Sequence, residues 1–110
     1  MIGKNDLIAY LHQIGAQLKR KVTLVAVGGT AMTLYGLKEA TKDVDFCAQT
    51  REDWAAVHAA AKKAKSGFRL DLFREGRIYI LQLPEDYTSK SRPLKEQFRN
   101  LEVKLLSPID

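Results

Sequence analysis

The chain has one cysteine, Cys47, so no internal disulfide can staple it, and nothing in its composition calls for an oxidising compartment. No apolar run approaches the roughly 18 residues of a membrane span. The opening stretch, MIGKNDLIAYLHQIG, mixes charge into an amphipathic pattern and lacks the apolar block and cleavage site of a signal peptide. The expectation is a cytoplasmic protein with no membrane association. Proline is scarce, with 3 residues, and there is no linker, low-complexity segment or internal repeat. The two histidines, His12 and His58, have no Cys or Asp at metal-ligand spacing and read as surface or packing residues. There is no G-x-x-x-x-G-K-[ST] and no G-x-G-x-x-G, so neither a Walker loop nor a dinucleotide fingerprint is present.

What remains is a chain of 110 residues, 45% hydrophobic and 28% charged, long enough for one domain with a modest core. A net charge of +5 mildly favours polyanionic partners such as nucleic acid or nucleotide phosphates. Asn5 or Asp6 can cap a first helix whose apolar face is Leu7, Ile8, Leu11, Ile14 and Leu18, with basic LKRK at its C-terminal end. Val22–Val27 is β-branched and apolar on both faces, as a central strand is. Gly28 and Gly29 break it, and a short helix runs from Thr30 to about Tyr35, ended by Gly36. Asp43–Ala48 is a second strand. Thr50 and Asp53 form a capping box before an Ala-rich helix that stops near Gly67. FRLDLF and RIYILQL read as strands of a hairpin joined at REG, the polar stretch 84–100 has room for a short helix, and LEVKLL is a last strand. The order predicts an α/β (α+β) fold, a mixed β-sheet with flanking helices.

One stretch resists explanation by packing. VAVGGTAMTLYGLKEATKDVDF, from Val25 to Phe46, ends an apolar run in two glycines and then carries Asp43 and Asp45 two residues apart. In a strand such residues share a face, roughly 6.6 Å apart, while Val44 and Phe46 point the other way. Like charges so placed repel unless a cation sits between them, and a hard divalent ion such as Mg²⁺ suits paired carboxylates. The plainer alternative is a strand edge reaching solvent, with Asp43 capping a turn and Asp45 paired to Lys42 or an arginine. A strand ending in Gly28-Gly29 and running into a helix can bring bare N–H groups to a phosphate, with the Thr30 hydroxyl beside them. The alternative there is a tight turn without a ligand. Asp71, between Leu70 and Leu72, is a third charge in an apolar strand, sharing a face with Arg69 and Phe73; its plainer role is to pair with Arg69 or a neighbouring basic residue.

Taken together, the apolar strand, Gly-Gly, short helix and D-x-D resemble the signature of the nucleotidyltransferase superfamily. The wording GGTA…G…A-T-K-D-x-D more closely resembles a minimal bacterial and archaeal branch that includes abortive-infection (type IV toxin–antitoxin) nucleotidyltransferase toxins and their small relatives. The resemblance implies that Gly28 and Gly29 hold nucleotide phosphates with Thr30 assisting. It implies that Asp43, Asp45 and Asp71 are catalytic and bind Mg²⁺ or Mn²⁺, with Asp71 also helping to deprotonate the acceptor. An NTP would then donate an NMP group to an RNA or protein hydroxyl. Two metal ions about 3.5–4 Å apart would bridge carboxylates and phosphates. Lys38 or an arginine of the 74–77 hairpin could supply a phosphate contact.

Related enzymes generally continue into helices that help bind base and acceptor, whereas this chain stops at LLSPID. The expectation is a single nucleotidyltransferase-like domain over 1–110 without that extension, its cleft completed by a second copy, a cognate antitoxin or another partner. The alternative is a catalytically inactive module of the same fold that works through dimerisation or nucleic-acid contact. Three converging carboxylates favour the enzyme, and the short C-terminus favours the module. Trp54 reads as a core residue rather than a base-stacking one, Cys47 as a small buried apolar residue, and Lys90, Arg92, Lys95 and Arg99 as a basic face.

Overall fold

A computed structural model describes residues 1–64, 70–74, 77–78, 81–82 and 91–106. In chain order the elements are β1 (Ile2–Gly3), α1 (Lys4–Gln17), β2 (Val22–Ala26), α2 (Gly28–Tyr35), β3 (Ala40–Thr41), β4 (Val44–Ala48), α3 (Arg51–Lys63), β5 (Leu70–Arg74), β6 (Arg77–Ile78), β7 (Leu81–Gln82), β8 (Arg92–Pro93) and β9 (Leu101–Leu105). Among the described residues no helix is long and apolar enough to cross a membrane.

Of the apolar face read for α1, Leu7, Leu11, Ile14 and Leu18 are buried, joined by Tyr10, while Ile8 is partly buried against them. The helix starts earlier than predicted. Gly3 is its N-cap, and the Asp6 carboxylate reaches back to accept from the Gly3 N–H at 3.2 Å, so Asp6 serves the helix start from its first turn. At α3, the Thr50 hydroxyl accepts from the Asp53 N–H at 3.1 Å, as a cap should. The Asp53 carboxylate does not close the box; it pairs with Arg20 at 2.8 Å and so ties α3 to the segment after α1. The helix ends at Lys63 with Ala64 as C-cap, short of Gly67, which lies outside the described residues.

Five strands form one mixed sheet in the order β5-β4-β2-β9-β8. β2 is antiparallel to β4 and parallel to β9, β4 is parallel to β5, and β8 is antiparallel to β9. β2 is apolar on both faces because both are covered: Leu24 and Ala26 join the main core, Val25 joins a second cluster, and four of its five residues are buried. Leu24 and Ala26, Val44 and Phe46, and Leu101 and Val103 belong to the core shared with α1, α2 and α3. Their alternate neighbours Val25 and Cys47 belong to a second, smaller cluster with Val27. Strand alternation therefore assigns Asp45 and Asp71 to the face away from the main core.

Other expectations are corrected. The segment read as one strand, RIYILQL, holds two short strands, β6 and β7, that pair with each other, while β5 takes β4 as its partner. Residues 91–100 are largely irregular, as the polar stretch suggests, but hold the short strand β8 and no helix, and residues 83–90 lie outside the described residues. β8 is an edge strand, the position that tolerates Pro93. β1 pairs with β3, Ile2 opposite Thr41 and Gly3 opposite Ala40, which fastens the chain immediately before Asp43.

Candidate active site

The site begins with strand register. Ala26 lies opposite Phe46, and the Val27 N–H donates to the Asp45 carbonyl at 3.2 Å, so the end of β2 lies beside the start of β4. The glycine turn and the D-x-D stretch therefore occupy the same edge of the sheet. Gly28 adopts φ +58°, a left-handed conformation that favours glycine. A Cβ there would lie 3.8 Å from Asp45 Oδ2, so the turn passes directly by this carboxylate. Gly29 is required for a different reason. A Cβ would fall 2.8 Å from Thr41 Oγ1, closer than real Cβ atoms come, and 3.6 Å from Lys38 Nζ. No side chain caps the N-terminus of α2.

Thr30 is fully buried, and its hydroxyl is committed to β4. It donates to the Asp43 carbonyl at 2.8 Å and accepts from the Asp45 N–H at 2.8 Å. Thr41 adds a second hold, its hydroxyl donating to the same Asp43 carbonyl at 3.0 Å and accepting from the Asp43 N–H at 3.3 Å. Two threonines thus fix the backbone that carries both aspartates. Asp43 precedes β4 and is exposed, whereas Asp45 lies within the strand and is 8% exposed.

Asp71 sits opposite Asp45 in the parallel β4–β5 register. The two carboxyl groups share a hydrogen bond, and Asp45 is raised from 3.8 to about 6. Burial is the chief cause, followed by the charges of Asp71 and Asp43 and then the shared hydrogen bond. Asp45 Oδ1 is buried without a hydrogen-bond partner. A buried acidic oxygen left unsatisfied beside a second carboxylate is a donor set suited to a hard cation that keeps water or substrate oxygens in its shell. Among the described residues no three His, Cys, Asp or Glu side chains form a metal-holding group, so Asp45 and Asp71 form a pair with Asp43 as an exposed neighbour. Asp45 does not pair with Lys42, which is exposed, and Arg69 lies outside the described residues.

The position of Asp71 is supported from behind. Trp54 Nε1 donates to the Leu72 carbonyl at 2.9 Å, joining α3 to the strand that carries Asp71. Trp54 also stacks on His58 with centroids 4.8 Å apart, and His12 meets Phe98 edge-on at 4.6 Å, so both histidines have packing roles. Cys47 is buried, and Arg92, Lys95 and Arg99 are exposed. Sequence reading missed Thr41 and the Trp54–Leu72 link. The run A-T-K-D held the signal for Thr41, since a threonine two residues before an aspartate is placed to bond its backbone.

Comparison with curated proteins and with solved structures returned no match. A family model described as "Nucleotidyltransferase of unknown function (DUF6036)" matches residues 5–110, nearly the whole chain, and the protein therefore belongs to that family.

Proposed function

We propose that this protein is a divalent-metal-dependent nucleotidyltransferase that moves an NMP group from an NTP to a hydroxyl of an RNA or a protein. The observation that carries the reading is the buried Asp45 carboxylate, with one oxygen unpartnered, facing Asp71 and flanked by the glycine turn. Asp45 and Asp71 would hold Mg²⁺ or Mn²⁺, with Asp43 adding negative charge at the rim. When bound, the ion would neutralise phosphate charge and lower the pKa of the acceptor hydroxyl. Gly28 and Gly29 would offer backbone N–H groups to the phosphates at the N-terminus of α2, with no Cβ to hold the ligand away. Thr30 would act as a positioning residue, because its hydroxyl is spent on β4. The acceptor oxygen would bond to the α-phosphorus as the bond to the β-phosphate oxygen breaks. Pyrophosphate would leave, and the acceptor proton would pass to the carboxylate pair, with Asp71, the less buried member, on the accepting side.

The exposure of Asp43 favours a second reading, a binding module of the same fold with no turnover. Thermal stability with each NTP, with and without Mg²⁺ or Mn²⁺, separates the two when measured on the wild type and on Asp43→Asn/Asp45→Asn. An enzyme should show a shift that needs both nucleotide and metal, of roughly 2.7 kcal/mol at 100 times Kd, lost in the variant. Transfer of α-labelled phosphate to an acceptor should follow. A variant that is merely more stable and binds nucleotide as before would sink the catalytic reading.

A further inference from the structure

The left-handed Gly36, at φ +90°, ends α2 and reverses the chain. The N–H groups of Leu37 and Lys38 turn back to the Met32 carbonyl at 2.9 and 3.3 Å, and that of Gly36 to Thr33 at 3.1 Å. From this turn the Lys38 side chain returns to the opposite end of the helix, where its Nζ lies 3.6 Å from the position of a Cβ on Gly29. An ammonium there is on the wrong end of a helix: the N-terminus carries partial positive charge and repels cations. Lys38 is exposed and pairs with no carboxylate among the described residues. The placement makes electrostatic sense when an anion occupies the space shared by the ammonium and the first N–H groups of α2. On the other flank, the Asp45 carboxylate passes the same turn, its Oδ2 3.8 Å from a Cβ position on Gly28, and its Oδ1 is buried and unpartnered.

Resting on the nucleotidyltransferase reading, we infer that Lys38 grips the β- and γ-phosphates of the NTP over Gly29, and so holds the pyrophosphate that leaves. The two flanks of the turn divide the ligand. The carboxylate side takes the α-phosphate, where the acceptor oxygen attacks. The ammonium side takes the polyphosphate tail, where the electron pair of the broken bond ends. Gly36 then serves the site at a distance, by turning Lys38 back along the helix.

The test is calorimetric titration of wild type, Lys38→Met and Lys38→Arg with ATP, GTP, CTP, UTP and inorganic tripolyphosphate, each with Mn²⁺, and with Mn²⁺ alone. Melting of the ligand-free proteins checks that all three fold alike. Lys38→Met should weaken tripolyphosphate and NTP binding by about ten- to a hundredfold, as loss of a charge-assisted contact does. It should leave Mn²⁺ binding equal or tighter, and Lys38→Arg should retain most of the affinity. If Lys38→Met binds both kinds of ligand as the wild type does, the assignment of Lys38 fails while the nucleotide site stands. If Lys38→Met also loses Mn²⁺, the residue is structural and the assignment fails. If the wild type binds neither tripolyphosphate nor any of the four NTPs, the nucleotide reading fails and Lys38 falls with it.

Discussion

Above pH 6 the carboxyl of Asp45 must carry charge in a buried place, next to two other acids. In the folded protein the Asp45 carboxyl is raised to about 6 from its ordinary value of 3.8, by burial first and then by the neighbouring acids. Between those values the folded state binds more protons than the unfolded chain, so stability falls as pH rises through that window. The metal-free protein should therefore lose about 2 kcal/mol from this group between pH 4 and pH 6.5. Asp45→Asn should flatten that part of the profile and melt higher than wild type at pH 7.5, which thermal unfolding across pH would check. Mn²⁺ affinity should rise with pH through about 6, since the ion competes with the proton. Gly29→Ala should destabilise strongly, because its Cβ would meet Thr41 Oγ1 at 2.8 Å. The cost should shrink in a Thr41→Ala background, where the nearest remaining neighbours, the Thr41 Cβ and Lys38 Nζ, lie at an ordinary 3.6 Å; a double-mutant cycle in urea would measure the coupling. Asp45, Asp71 and the glycines stood out in the sequence because each breaks an apolar pattern for no packing reason. Lys38 was legible as a candidate phosphate contact, but its nearness to Gly29 was not, because that is created by a chain reversal that no local pattern encodes.

Two side chains from separate helices hold the strands that carry the acids. The Thr30 hydroxyl of α2 spans β4 between the Asp43 carbonyl and the Asp45 N–H. Thr30→Val keeps the shape but strands both groups, so it should cost about 2–4 kcal/mol in chemical denaturation and weaken metal binding. Thr30→Ser should lose about 1 kcal/mol and keep the metal site. The Trp54 indole of α3 does the same for β5 through the Leu72 carbonyl. Trp54→Phe should cost about 1 kcal/mol and loosen Asp71, visible as faster amide exchange in β5. At this scale α1, β2, α2, β4, α3, β5 and β9 could be read from sequence, because each carries a clear period or a cap. β1, β3 and β8 could not: strands of two residues have no period, and their pairing depends on a partner far along the chain.

The arrangement of the whole sheet is where local reading stops. The mixed α/β class followed from the order of elements, but nothing in LEVKLL said that it would lie between β2 and β8 rather than at an edge. In that place β9 pairs with the edge of β2 that β4 leaves open, and its Leu101, Val103 and Leu105 join the main core. β2 pairs in parallel with β9 from Val22–Leu101 to Ala26–Leu105, and Thr23 reaches Glu102 across a separation of 79 residues. Removing residues 101–110 should leave β2 with an open side and the chain without native near-UV circular dichroism.

That long pairing also sets the timing of the molecule. Closing a loop of this size comes late and slowly in folding, because its entropy is lost before the contact rewards it. During synthesis, Asp45, Asp71 and both glycines emerge well before β9. The strand that positions them has an unfilled side until residues 101–105 are free to join it. A nascent chain thus holds Asp45, Asp71 and both glycines before β2 has the partner that completes its side of the sheet.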